Sequence, residues 1–377
     1  MGVAEPGGTA EQTGSPASSE QRIRRRRRGP PTRVQRECSP SLTRLQRLLG
    51  LERRSRRCAT RSAPAPLGQR RRTSPPWAWP AAWPGRSQGK RAGSLPALLV
   101  GDGIWHDALG RPVELLHPPV RLVSLVPSLT EALFALGAGG EVVGTTRFCT
   151  QPAAARATAK VGGTKTLDVG AVLTLRPDLV VASAEENRRE DVEALIDAGL
   201  RVYVSLPRTV AEAMELLADL AGMLRRETAA GFIDEARAAV RELARGAVSP
   251  PRVFVPIWRR PYMAVGSGTY AGDLLRVCGG ANVYATSPER YPTVTLDEVV
   301  ALDPEVVLLP SEPYRFGPRH LADFERFPQM SAVSQGRVHL VDGRDLTWYG
   351  PRMADGLRSV AALLGGRGVA PRRGATA

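Results

Sequence analysis

Cysteine is scarce: Cys38, Cys58, Cys149 and Cys278 are the only four in 377 residues, and none falls in CxxC spacing. That pattern supports neither a zinc ribbon nor a disulfide framework, and leaves open only a single Cys149–Cys278 bridge. Histidine is equally thin. His106, His117, His320 and His339 show no HxH or HxxxH spacing, so no protein-only zinc or iron site is supported. No apolar run approaches the ~20 residues of a membrane span. Gly266-Ser267-Gly268 and Gly137-Ala138-Gly139 lack the remainder of any phosphate-loop pattern. Ser124, Ser128, Cys149 and Cys278 have no base at a readable spacing, so nothing nominates a catalytic residue.

Charge is present but unevenly spread. Residues 1–98 hold 21 Arg and Lys against 5 Glu, whereas the rest holds 31 basic and 32 acidic residues. The net charge of +15 therefore belongs to the tail, and no nucleic-acid partner is expected for the folded part. The tail, rich in Arg, Pro, Ser and Gly, is expected to be disordered because it has too little apolar surface to offset its chain entropy. Its Arg clusters suit RNA or an anionic membrane as the alternative. No signal-peptide layout is readable, since Gly-Pro-Pro follows the Arg24–Arg28 run; a cytoplasmic location is the default expectation. Met1 is the only methionine before Met214, so translation starting near Leu99 or Val100 is a further expectation.

The chain's other landmark is Thr209–Gly246, free of proline and rich in Ala, Leu, Glu and Arg. Thr209 with Glu212 spells a capping box, and Pro250-Pro251 closes the stretch. It reads as one helix, or as two meeting near Gly222. On either side lie short alternating strands and helices, the mark of an α/β fold with mainly parallel sheets. Trp105–Val113 reads as a small hairpin, and Ser128 with Glu131 as a second capping box. The two flanks also match in letters. TLRPDLVVASAEE (Thr174–Glu186) sits against ALDPEVVLLPSEP (Ala301–Pro313), and LGAGGEVVGTT (Leu136–Thr146) against CGGANVYATS (Cys278–Ser287). The expected organisation is a tail at 1–98, an α/β lobe at 99–208, a connecting helix at 209–246, a second lobe at 247–366 and a short tail at 367–377.

Ligands of open α/β sheets bind beyond the carboxyl ends of the strands, and clefts between lobes are preferred. The loops there hold Arg147 and Phe148; Thr164 and Lys165; Glu185, Glu186 and Asn187; Trp258, Arg259, Arg260 and Tyr262; Tyr291; Tyr314; and Trp348 with Tyr349. Rings beside guanidinium groups suit a large, flat, partly anionic ligand. Each residue also has a plainer reading: loop aromatics cap core edges, Arg259 and Arg260 are solvated, and Glu185–Arg188 opens a helix where Glu offsets the macrodipole. A lone axial ligand to a haem or cobalt would come from His320 or Tyr314. His339, inside VHLV, reads as structural.

RLVSLVPSLTEALFALGAGGEVVGTT, LRPDLVVAS, VCGGANVYA and LDPEVVLLP, in that order, resemble the helical-backbone (class III) periplasmic binding proteins. These are the vitamin B12, ferric-siderophore and haem receptors that feed ABC importers. The resemblance runs from Trp105 to Leu364. It implies two similar α/β lobes joined by a long rigid helix, no cofactor of the protein's own, and binding without turnover. The implied partners are a corrinoid or ferric chelate in the cleft and an ABC permease, met by a monomer. Tyr291 stands where the B12 receptors carry a stacking Trp, and Trp348-Tyr349 lies in their last ligand loop. Two positions depart: Thr164 replaces another Trp, and Gly170 replaces the first lobe's permease-docking Glu. Asp297 or Glu298 would serve for the second lobe's. A cytosolic relative that delivers or senses the cofactor is the alternative, and an enzyme acting on a chelated metal is a third.

Overall fold

The structure is a computed structural model that describes residues 103–244 and 249–365. The two expected tails lie outside the described residues. The hairpin at the start is present: Ile104–His106 pairs antiparallel with Pro112–Glu114.

In the first lobe, LVS (Leu122–Ser124) and LVVAS (Leu179–Ser183) are buried throughout, apolar but for their last serines, because both faces of their sheet are covered. The parallel sheet runs Ala159–Lys160, Val142–Thr145, Leu122–Ser124, Leu179–Ser183, Val202–Ser205. The second lobe repeats this around Arg252–Phe254, in the order Ala281–Asn282, Arg252–Phe254, Val306–Pro310, Val338–Val341, again parallel. In each lobe the chain builds outward in both directions from its first strand. That reversal opens a crevice at the carboxyl ends, where ligands bind.

Thr209–Gly246 is two helices, Val210–Leu224 and Gly231–Leu243. The break falls at Arg225, three residues past Gly222 and in left-handed conformation (φ 51°). Residues 245–248, where the stretch was expected to end, lie outside the described residues. Thr209 caps the first helix by accepting the Glu212 N–H at 3.0 Å, worth about 1 kcal/mol. Glu212 returns to the Arg208 N–H instead of Thr209's, so the box is only half formed. The first helix buries Val210, Ala213, Leu217, Leu220 and Leu224 in an apolar core that also contains Leu129 and Leu133 of the first lobe and Leu274 and Leu357 of the second. Each lobe has a smaller core of its own, around Val180 and Val204 in one and around Phe254 and Val307 in the other.

Two local expectations fail. Ser128 does not cap its helix. Pro127, whose fixed φ suits the first helical position, starts it two residues early, with Val126 at the N-cap. Ser128 is thereby inside the first turn, its Oγ without a hydrogen-bond partner, and Glu131 pairs elsewhere. Trp258–Met263 is a hairpin rather than a loop: Pro256–Trp258 pairs antiparallel with Tyr262–Ala264, which pairs with Thr293–Val294. Arg260 turns it, with φ at 70°. Cys149 and Cys278 are both free and buried, one in each lobe, so the open question of a bridge closes against it. Among the described residues no helix is long and apolar enough to cross a membrane.

Candidate functional site

The strand ends of the two lobes meet at Glu185. This residue leaves the strand Leu179–Ser183 and reaches the other lobe, where the Arg290 guanidinium donates to its carboxylate at 2.8 Å and the Tyr291 hydroxyl hydrogen-bonds the same oxygen. Lys165, from the turn between Gly162–Gly163 and Thr166–Leu167, donates to the Glu185 carbonyl at 3.1 Å. Asn187 is buried and fixes the loop. Its Oδ1 accepts the Ser183 N–H at 2.8 Å, and its Nδ2 donates to the Leu125 and Thr164 carbonyls, each at 3.2 Å. Its amide is spent on backbone, which makes it a positioning residue.

Glu186 stands beside this bridge. Burial pushes its carboxyl up to about 8, the charges of Glu185 and Glu312 push the same way, and Lys165 opposes them. Burial in turn pushes the Lys165 ammonium below its usual range. Glu312 leaves the strand Val306–Pro310 in the second lobe. Burial raises its carboxyl, against hydrogen bonds from the Trp348 ring and the Thr347 hydroxyl. The repeat contains the signal for this residue: aligning TLRPDLVVASAEE with ALDPEVVLLPSEP sets Glu312 opposite Glu185. The sequence puts Glu312 and Arg290 in strand-end loops beside Tyr314 and Tyr291, but singles out neither, and the partner of Arg290 is 105 positions away.

Trp348 and Tyr349 lie in the wall between lobes and are nearly covered. The Tyr349 hydroxyl is 3.4 Å from that of Ser205 in the first lobe, and its ring meets Tyr270 edge-on at 5.7 Å. Arg352 sits over the Trp348 ring and clamps Glu131 of the first lobe with two bonds of 2.7 Å. At the rim, Arg147 stacks over Phe148, which is half exposed, and donates to Thr166 at 3.2 Å. Gly163 closes against both side chains, so Arg147, Phe148, Thr164 and Lys165 share one edge of the first lobe.

Other predicted residues already have partners within the second lobe. Arg259 is not solvated: it makes two bonds to Asp323, of 2.7 and 2.8 Å, and the Tyr262 hydroxyl donates to the same carboxylate at 2.6 Å. Arg260 is exposed at the hairpin tip. Trp258 meets Tyr314 edge-on at 5.6 Å, and Tyr314 packs on Phe316 and His320. His320 is buried, and its Nδ1 accepts the Gly317 N–H at 2.8 Å; it is a core residue of its lobe rather than an axial ligand in waiting. Glu298 completes a capping box with Thr295, and Asp297 is exposed beside it on the same first turn. Among the described residues no three His, Cys, Asp or Glu side chains are grouped to hold a metal ion.

A separate groove of about 1300 Å³ lies beside the first connecting helix, lined by Trp105, Tyr203, Glu212, Asp219, Thr269 and Asp273 among others. Several of its polar groups are already matched: Tyr203 donates to Asp219 at 3.1 Å, and Asp273 takes the Val210 N–H and the Arg276 guanidinium. It contains none of the predicted residues, although it reaches the end of the strand Val202–Ser205 through Ser205 and Leu206.

Comparison with known proteins agrees with this geometry. The vitamin B12-binding protein of Vibrio cholerae is 25% identical over 250 residues, 66% of this chain and 90% of that one. The crystal structure of the periplasmic vitamin B12-binding protein BtuF of Vibrio cholerae superposes with a TM-score of 0.58 at 25% identity, over 66% of this chain and 97% of that one. The periplasmic haem-binding protein BhuT, solved with two haems, superposes with a TM-score of 0.57 at 27% identity, over 65% of this chain and 98% of that one. The family model for the periplasmic binding proteins matches residues 122–344. With its twin parallel sheets meeting at their carboxyl ends, the chain belongs to the periplasmic binding protein family.

Proposed function

We propose that this chain is the substrate-binding partner of an ABC importer and holds a flat metal chelate, a corrinoid or a ferric siderophore, between its lobes. The observation that carries the reading is the meeting of the two sets of strand ends at Glu185, Arg290 and Tyr291. The kinship with proteins named for vitamin B12 and haem supports the chelate. Phe148, Arg147, Thr164 and Lys165 form one lip of the cleft; Trp258, Tyr291, Tyr314 and Trp348 supply rings from the other lobe. Tyr262 and Arg259, tied to Asp323, brace that lobe, and Arg260 stays in solvent. Asp297, exposed at the start of its helix, is the docking acid for the permease; Gly170 leaves the first lobe without one. The protein acts as a monomer and releases its ligand unchanged.

Tryptophan fluorescence, titrated separately with cyanocobalamin, haemin and a ferric hydroxamate, tests this. Saturable quenching at micromolar or lower concentration by one of the three is expected, with the chelate recovered intact. Flat traces for all three would sink the reading.

A further inference from the structure

The charged contact between Glu185 and Arg290 joins the lips of the two lobes, and both of its arms are held from behind. Glu185 follows the strand Leu179–Ser183; its N–H donates to the Ser183 hydroxyl at 3.1 Å, and its carbonyl accepts from the Lys165 ammonium at 3.1 Å. Asn187, two residues on, ties the same loop to the backbone of Ser183, Leu125 and Thr164. On the other side, the Arg290 carbonyl accepts the Gly266 N–H at 2.8 Å, and the Pro292 carbonyl accepts that of Ala264 at 3.0 Å. The backbone behind Arg290 is so close that a Cβ at Gly266 would stand 2.8 Å from the Arg290 carbonyl oxygen and 2.3 Å from that of Glu289. The backbone thus fixes both loops, and the Glu185 carboxylate meets the Arg290 guanidinium and the Tyr291 hydroxyl because the fold sets it there.

Two donors of the second lobe are therefore spent on one carboxylate oxygen of the first. The side chains of Arg290 and Glu185 are only 31% and 18% exposed. A ligand carboxylate that took the same donors would have to displace Glu185, leaving that charge largely buried, without its partner and beside a second negative one. A neutral ester or amide at the same place leaves the pair intact. We propose that Glu185 is a charge gate of the cleft: bonded to Arg290 and Tyr291 of the other lobe, it penalises any ligand that presents a carboxylate at this lip, whatever the chelate behind it. Discrimination of this kind works through the charge it would strand rather than through a new attraction. The inference rests on the reading of this cleft as a chelate site.

The experiment compares the full chain with Glu185→Gln and with the double variant Glu185→Gln, Arg290→Gln. The probes are matched: haemin with its dimethyl ester, and cyanocobalamin with the monocarboxylates made by hydrolysing single side-chain amides. The members of a pair differ only at the acid group, so their affinity ratio reads the gate and not the chelate. For whichever pair binds, Glu185→Gln should move the ratio about tenfold towards the acid form, and the double variant, which lacks the guanidinium, by less than about threefold. A ratio that is the same in wild type and Glu185→Gln, or that moves away from the acid form, overturns the proposal. A second measurement needs no ligand. Modification of Arg290 by phenylglyoxal, read by peptide mass spectrometry, should run several-fold faster in Glu185→Gln; equal rates overturn the pairing on which the gate depends. If no probe binds wild type or either variant, the chelate reading falls and the gate with it, whereas a pair that binds with an unmoved ratio sinks the gate alone.

Discussion

The two lobes solve the same problem with the same parts, and their differences are instructive. Both begin with an arginine at the head of the first strand. Arg121 donates to the Leu175 carbonyl and Arg252 to the Asp303 carbonyl, in each case the helix end ahead of the next strand. In both, the acid after the Arg-Pro or Asp-Pro turn accepts the arginine's backbone N–H: Asp178 from Arg121 at 2.9 Å, Glu305 from Arg252 at 2.9 Å. The scaffolds are thus fastened alike at the amino ends of their sheets. At the carboxyl ends they diverge. The first lobe offers polar loops and the exposed Phe148; the second adds an antiparallel three-stranded sheet and an aromatic cluster of Tyr262, Tyr314, Phe316 and Phe324.

Breaking what the lobes share should have the largest effect. Leu217→Ala, in the core common to both, is expected to cost about 2–5 kcal/mol and to lower one unfolding transition for the whole molecule. Two separated transitions by calorimetry would show instead that the lobes fold independently. Next comes the clamp across the lobes. Arg352→Ala strands Glu131, whose side chain is 13% exposed, and should cost about 2–3 kcal/mol while freeing the Trp348 ring. A chemical-denaturation midpoint equal to wild type would refute this.

Within the second lobe alone, Asp323→Asn removes the carboxylate that serves both Arg259 and Tyr262 and should cost about 1.5–3 kcal/mol at neutral pH. The Arg259 guanidinium holds this carboxyl below its usual range. Its contribution is therefore present above about pH 4 and lost as pH falls below that, so the variant should converge on wild type in acid. A gap that persists to pH 2 would contradict the assignment. The smallest effects test the repeat itself: Arg121→Ala and Arg252→Ala should each cost about 0.5–1.5 kcal/mol, and by similar amounts. Urea midpoints that differ widely would break the equivalence of the two fastenings.

The framework was legible because it is local. Gly137, Gly199 and Gly279, all with positive φ, stop helices where the sequence places them, and Pro after Arg176 or Asp303 marks the next strand. The repeat in letters became the same order of four parallel strands in both sheets, with Ala159–Lys160 an extra edge in the first. What was hidden depends on distant partners. Arg259 looks solvated until Asp323, 64 residues on, is folded against it. Glu131 looks like a cap until Arg352 arrives from 221 residues away. Ser128 matched a capping pattern that Pro127 pre-empts, a competition between two valid local rules. The hairpin at Arg260 was masked because three-residue strands give too few alternations to register a period of two.

The apolar mass beneath the connecting helices has one more implication. Residues from Val113 to Leu364 enter it, from both halves of the chain and from the helices between them. The two lobes are therefore joined through packed side chains rather than through a hinge of loop alone. Small-angle scattering profiles recorded empty and loaded should overlay. Under the proposed function, a ligand would be met with little wrapping of the protein around it, and profiles that differ between the two states would show a hinge instead.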